Sequence, residues 1–174
     1  VILTGGDPLA LSPRRLADVL RQLDEIAHVK IVRIHTRVPV VDSQRIDDEM
    51  LAALHHFPRA VYVALHANHP RELCAPAEHA LARLVDAGIP LVSQTVLLRG
   101  VNDAVATQVA LSERLFSAGV LPYYLHLLDR VAGTAHFEVD ATEAAALERG
   151  LRNSLPGYLV PKFVREIAGE PAKT

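Results

Sequence analysis

Short β-branched runs recur along this chain near residues 1, 30, 60, 90, 122 and 158, and a stretch of helical period separates each from the next. A step of about 30 residues leaves room for one helix between strands, and one helix returns the chain to the end of the sheet where it started. Strands connected in this way run parallel. Local signals agree with the spacing. Residues 1–4 form the first strand, and Ser12 ahead of Pro13 marks a helix start, since the missing proline N–H costs nothing in a first turn. Residues 30–36 read as a strand, 47–55 as a helix, 60–65 as a strand, and 76–87 as a helix ended by Gly88. A strand over 90–98 precedes a helix that Asp103 is expected to cap and that runs to about residue 118. A strand over 122–128 follows. Asp140, with Glu143 three residues on, has the spacing of a capping box, and the last strand is expected over 158–164.

Five βα steps and a final strand, evenly spaced and without a dinucleotide-binding fingerprint, favour a curved barrel-type sheet over a doubly wound one. The expected fold class is α/β, a partial (β/α)6-type TIM-like barrel. No linker or low-complexity segment interrupts it, so residues 1–174 are expected to form one domain. The chain opens on Val1-Ile2-Leu3-Thr4, already inside an apolar strand-like run. This suggests a fragment that lacks the first strand or strands of the barrel.

The chain has 174 residues, half of them hydrophobic, which is enough to bury a core. Eighteen Lys and Arg against 20 Asp and Glu leave a net charge of −2, without the basic excess that binding nucleic acid requires. No apolar run reaches bilayer length and no leader pattern is present, so the expectation is a cytoplasmic protein that does not engage the membrane. The single cysteine, Cys74, rules out an internal disulfide and a cysteine-ligated metal site made from this chain alone.

In a barrel, chemistry gathers at the C-terminal ends of the strands. Those positions hold Gly5-Gly6-Asp7, His35-Thr36-Arg37, His66 with Asn68-His69, Gln94 with Arg99, Asp129-Arg130, and the segment from Arg165 to Lys173. Polar residues collect there, and strand interiors read as apolar. Gly5-Gly6 could expose backbone N–H groups to a carboxylate or phosphate, although taken alone the pair is better explained as an ordinary βα turn. His66 and His69 are three apart, but Pro70 argues for a loop and no third ligand is evident, so hydrogen bonding to a polar cofactor is favoured over metal. His55-His56 belongs to a helix end. Asn102-Asp103 is accounted for by turn and N-cap preferences. Gln94 is not so explained, because an amide within an apolar strand needs partners when buried. Asp129 could receive an ammonium group or pair with Arg130. Lys173 by composition is a solvated loop lysine.

Taken in order, several stretches resemble the lysine 2,3-aminomutase family of radical S-adenosylmethionine (SAM) enzymes. They are Thr4-Gly5-Gly6-Asp7-Pro8-Leu9, residues 33–41, Asn68-His69-Pro70, residues 94–103, Pro122-Tyr123-Tyr124, Ala135-His136-Phe137, residues 156–161 and Lys173. Residues 125–137 and the tail look most like the branch that makes β-lysine for elongation factor P. The resemblance implies an isomerase that converts L-α-lysine to β-lysine, the (R) product in that branch. Its cofactors would be SAM, a 4Fe–4S cluster and pyridoxal 5′-phosphate. By the same resemblance Lys173 matches the Schiff-base lysine, and Asp129 and, more loosely, Glu166 match the acids that receive the substrate ammonium. Gly5, Gly6, Asp7, His66 and Gln94 match SAM contacts. Implied partners are L-lysine, a reductant protein for the cluster, elongation factor P and its lysyl ligase, and a second copy of the chain in a homo-oligomer. The cluster-binding Cys-x3-Cys-x2-Cys motif of the family is absent, so it is expected upstream and the chain by itself is expected to be inactive. A free-standing metabolic aminomutase and a non-radical pyridoxal-phosphate barrel stay open as alternatives.

Overall fold

A computed structural model describes residues 1–129 and 131–165. Its six strands are β1 (Ile2–Leu3), β2 (Ile31–Thr36), β3 (Ala60–His66), β4 (Leu91–Leu97), β5 (Val120–Leu127) and β6 (Lys162–Val164). They form one sheet in sequence order, and every neighbouring pair is parallel. The crossovers carry helices α1 (Pro13–Asp24), α2 (Val38–Val41), α3 (Asp48–Leu54), α4 (Ala75–Asp86), α5 (Val105–Ser117) and α6 (Ala141–Ser154). An order that never reverses is that of a barrel wall, as the even spacing implied. The wall is an open arc, because β1 and β6 are its two edges among the described residues. No helix is long and apolar enough to cross a membrane among the described residues.

Helix starts follow side-chain chemistry. Ser12 accepts from Arg15 N at 3.4 Å, Asp47 from Met50 N at 2.8 Å, and Asp140 from Thr142 N and Glu143 N at 2.8 and 2.9 Å. The Glu143 carboxylate reaches back to Asp140 N, which completes the capping box. Two expectations fail. Asp103 does not cap α5, because it accepts from Gly100 N at 3.0 Å and so closes the turn ahead of the helix. The last strand is only Lys162–Val164, because Gly157–Leu159 coils into a 3₁₀ turn after Pro156.

Strand interiors also differ from the apolar expectation, and the difference is a matter of face. Successive strand side chains point to opposite sides of a sheet. The set facing the helices, Val32, Ile34, Val61, Val63, Leu65 and Leu91, is buried against Leu16, Leu20, Met50, Leu54, Leu81 and Leu84. Burying each such side chain contributes about 1.5–3 kcal/mol. The alternate set is mostly polar: Arg33 and His35 on β2, Tyr62 and His66 on β3, Gln94 on β4, Tyr124 and His126 on β5. Register lines some of these residues up, with His66 beside Gln94 and Gln94 beside Tyr124. A bulge helps to produce this alignment. Val92 pairs with Leu121 but Gln94 with Tyr124, so β5 carries one extra residue, and Ser93 Oγ meets the displaced Tyr123 N at 3.2 Å.

Candidate active site

The loops at the C-terminal ends of the strands are tied together by side chains acting as substitute backbone. After β1, the Asp7 carboxylate accepts from Thr36 Oγ1 at 2.6 Å, Arg37 N at 2.6 Å and Leu9 N at 3.0 Å. This fastens the first loop to the end of β2. After β3, the Glu72 carboxylate accepts from Asn68 N at 2.7 Å, His69 N at 2.9 Å and Arg37 Nη2 at 2.6 Å. Asn68 Oδ1 then takes Val96 N at 2.9 Å, which continues the ladder to β4 where β3 has ended. Asn102, fully buried, donates to Asn68 O at 2.7 Å and Val96 O at 2.8 Å, and accepts from Leu98 N at 2.7 Å. Gln108 supports it from α5 through a 2.9 Å bond to Asn102 O.

Behind this rim lies a cavity of about 540 Å³, lined on the inner face by Ile2, Thr4, Arg33, His35, His66 and Gln94 and, toward β5, by His126 and the 127–129 turn. Its volume suits a small polar ligand. His66 Nε2 lies 2.9 Å from Gln94 Oε1, which ties the imidazole to the amide across β3 and β4. Gln94 is only 5% exposed, and its Nε2 is buried without a hydrogen-bond partner among the described residues. The His35 ring stands 5.7 Å from that of His66, and His126 lies 5.6 Å from the Tyr124 ring. Tyr123 and Tyr124 pack at 4.0 Å, and Lys162 Nζ sits 5.7 Å from the Tyr123 ring. A hydrogen bond with Tyr124, then burial, pushes the Tyr123 hydroxyl above the usual phenol range, so it stays protonated at neutral pH. Asp129 lies just beyond β5, exposed at the cavity rim, where it also lines a smaller recess with Thr134 and Glu138.

The structure therefore brings His66, Gln94 and Asp129 to one cavity. Gly5 and Gly6 have φ of +82° and +78°, with no heavy atom within 4 Å of the position a Cβ would take. Their backbone is open to approach, and the left-handed conformation there suits only glycine. Asp7 stands in the same loop, with both carboxylate oxygens engaged in holding it. Glu166 and Lys173 lie outside the described residues, as does Arg130. His69 turns from the cavity to accept from Arg71 N at 3.2 Å, and among the described residues no group of three His, Cys, Asp or Glu is placed to hold a metal. Cys74 is exposed ahead of α4. Sequence reasoning missed Arg33 and His126 as cavity residues. Their signal was the two-residue alternation within β2 and β5, which strand ends alone do not reveal.

No family model matches the chain. Proteins named L-lysine 2,3-aminomutase do: that of Haemophilus influenzae is 45% identical over 174 residues and that of Escherichia coli 44%, each covering 100% of this chain. That of Clostridium subterminale is 41% identical, again over the whole chain. The chain spans about half the length of these relatives, 52%, 51% and 42% respectively. Among solved structures, a domain of pyruvate-formate lyase-activating enzyme from Bacteroides vulgatus overlays with a TM-score of 0.60 at 16% identity, covering 94% of this chain and 97% of its own. A radical SAM methyltransferase from Sphaerobacter thermophilus overlays with a TM-score of 0.53 at 16% identity, over 77% of this chain and 40% of its own. These likenesses establish the partial TIM-like barrel as the fold. Along essentially its entire length the chain is 37–45% identical to proteins that carry the name L-lysine 2,3-aminomutase.

Proposed function

We propose that this chain forms the ligand-binding wall of an L-lysine 2,3-aminomutase, an isomerase that moves the α-amino group of lysine to Cβ. The observation that carries the reading is the polar inner face, which opens on a cavity of about 540 Å³ with Asp129 at its rim. A barrel filled only for packing would be lined with branched aliphatic side chains. The Asp129 carboxylate is suited to pairing the substrate ammonium, and Val96, Leu127 and Leu128 add apolar lining to the same cavity.

Gly5, Gly6, His66 and Gln94 fit SAM. The glycines leave backbone accessible, and Gln94 Nε2 is a buried donor still in need of an acceptor. When bound, that group supplies the means of abstracting hydrogen from an unactivated carbon. Gln94 orients His66, and Asp7 fixes the glycine loop to β2. The residues present do not fit a 4Fe–4S cluster, since Cys74 is the only cysteine. Pyridoxal phosphate rests on the match of Lys173 to the family's Schiff-base lysine, and Glu166 is the second proposed acid. We infer further, from residues 125–137, that the product serves cytoplasmic elongation factor P.

The test uses the protein expressed with its flanking reading frame and assayed anaerobically for β-lysine from L-lysine by mass spectrometry. Turnover is expected, and D129N should raise KM for lysine roughly 10- to 100-fold. A protein replete with its cofactors that forms no β-lysine would sink the reading. Whether elongation factor P gains the mass of a β-lysyl group when the gene is supplied separates its service from general metabolism.

A further inference from the structure

Arg33 occupies an unusual place for an arginine. It is the third residue of a six-residue strand, level with Ile2 and Tyr62, and its side chain lies on the inner face of the sheet rather than at a loop. Other arginines that fold back onto the molecule end on acceptors. Arg45 reaches the carbonyls of Leu9, Ala10 and Leu11, Arg59 reaches Asp24, and Arg114 reaches Glu78. Arg33 is in no ion pair among the described residues, and its Nε is sealed from solvent with no acceptor there. Its guanidinium carbon lies 6.0 Å from the centroid of the Tyr62 ring, which offers a π face and no carboxylate. A guanidinium carries five donors and remains charged, so placing it inside a barrel without an oxyanion is costly.

A second buried donor belongs to a residue that lines the same cavity. Gln94 Nε2 is likewise without an acceptor among the described residues, although the Oε1 of the same amide is engaged by His66. Arg33 and Gln94 both line the cavity of about 540 Å³, whose carboxylate, Asp129, stands at the rim beyond β5. Along the strands Arg33 lies below the level shared by His66 and Gln94, and Asp129 lies above it. The cavity thus has cationic and donor character inside and anionic character at its mouth.

Building on the proposed function, we infer that Arg33 is an anion-binding residue: it pairs with a ligand oxyanion, a carboxylate or a phosphate, seated within the barrel. This assigns a role to a mid-strand residue that neither sequence reasoning nor the rim geometry had singled out. The ligand would lie with its oxyanion inward, against Arg33, and cationic groups toward Asp129.

The test compares equilibrium binding by calorimetry for three matched probe pairs, using the protein expressed with its flanking reading frame. The pairs are L-lysine and L-lysinamide, pyridoxal 5′-phosphate and pyridoxal, and SAM and its decarboxylated form. In wild type one member that bears the carboxylate or phosphate should bind more tightly than the mate that lacks it. In R33Q that preference should fall roughly 10- to 100-fold while the mate without the oxyanion binds as before, and R33K should keep part of it. The pair that responds identifies the source of the oxyanion. Unchanged binding of the mate without the oxyanion also shows that the variant is folded. Should R33Q retain full discrimination in all three pairs, the inference is overturned, and Arg33 is then a structural cation paired within the chain itself. Because these are binding measurements, an oxyanion preference lost in R33Q stands even where no β-lysine forms, so the two proposals fail separately.

Discussion

Asp7 and Asn102 each satisfy three partners, and in neither case are the decisive partners local. Asp7 joins Leu9 N to Thr36 and Arg37, 29 and 30 residues away. Removing its carboxylate as D7A orphans those donors at the end of β2 and is expected to lower stability by about 2–3 kcal/mol, measurable by urea denaturation. D7N should recover only part of this, since an amide nitrogen would face the Arg37 N–H. Asn102→Ala strips the acceptor of Leu98 N and the donor of Asn68 O and Val96 O, and is expected to cost about 3 kcal/mol with no change in the slope of the unfolding transition. Loss of less than about 1 kcal/mol in either variant would show that water replaces the bonds. These residues also mark where the sequence was hard to read. Asn102-Asp103 matches the local preferences of a turn and a cap, and only the register of β3 against β4 reveals that Asn102 bridges two strand ends. Asp129 and Gln94 could be suspected from position and polarity, whereas the pairing of Gln94 with His66 depends on that same register.

Two helix starts were legible because a cap acts within four residues of itself, and Ser12 and Asp140 with Glu143 act as their spacing implies, whereas Asp103 closes the preceding turn instead. Asp140 also gives the structure a pH signature. Hydrogen bonds from Glu143 and Thr142, the largest from the Glu143 backbone, hold its carboxyl below the ordinary 3.8. A group with a depressed folded-state value stabilises fully above the unfolded value and loses that contribution as pH falls through the lower folded one. Thermal melts of D140N should therefore lie below wild type at neutral pH, and the gap should close as the pH falls below about 3.8. A gap that persists or widens on acidification would exclude this origin. Gly150, inside α6, contradicts helix propensity, and packing explains it. A Cβ there would come within 2.6 Å of Val105 Cγ2 on α5, a branched side chain with little rotamer freedom. G150A should thus destabilise despite a propensity gain of about 1 kcal/mol. Adding V105A should recover much of that loss in a double-mutant cycle.

At the scale of the molecule, the parallel order was legible from even spacing, because one helix per crossover leaves few other topologies. The open arc has exposed apolar residues along one edge, with Val1 52% and Ile2 48% exposed on and beside β1. An unpaired strand edge of this kind is a template for another chain. The 174-residue chain in isolation is expected to self-associate with concentration in analytical ultracentrifugation, and a monodisperse monomer would contradict this. The inner face was the part least visible in advance. Its polar residues are interleaved one for one with the apolar residues that made the strands recognisable as strands, so a reading of mean character hides them. The same interleaving gives each strand two kinds of neighbour in strict alternation. A saturation mutagenesis map of β2 and β3 should therefore show a beat of period two. Val32, Ile34, Val61 and Val63 would exchange freely among aliphatic residues of like volume, while Arg33, His35 and His66 between them would admit almost no exchange in function and considerable exchange in foldedness. Adjacent residues on a single strand would answer to different selective pressures, one set by volume and the other by what the barrel holds.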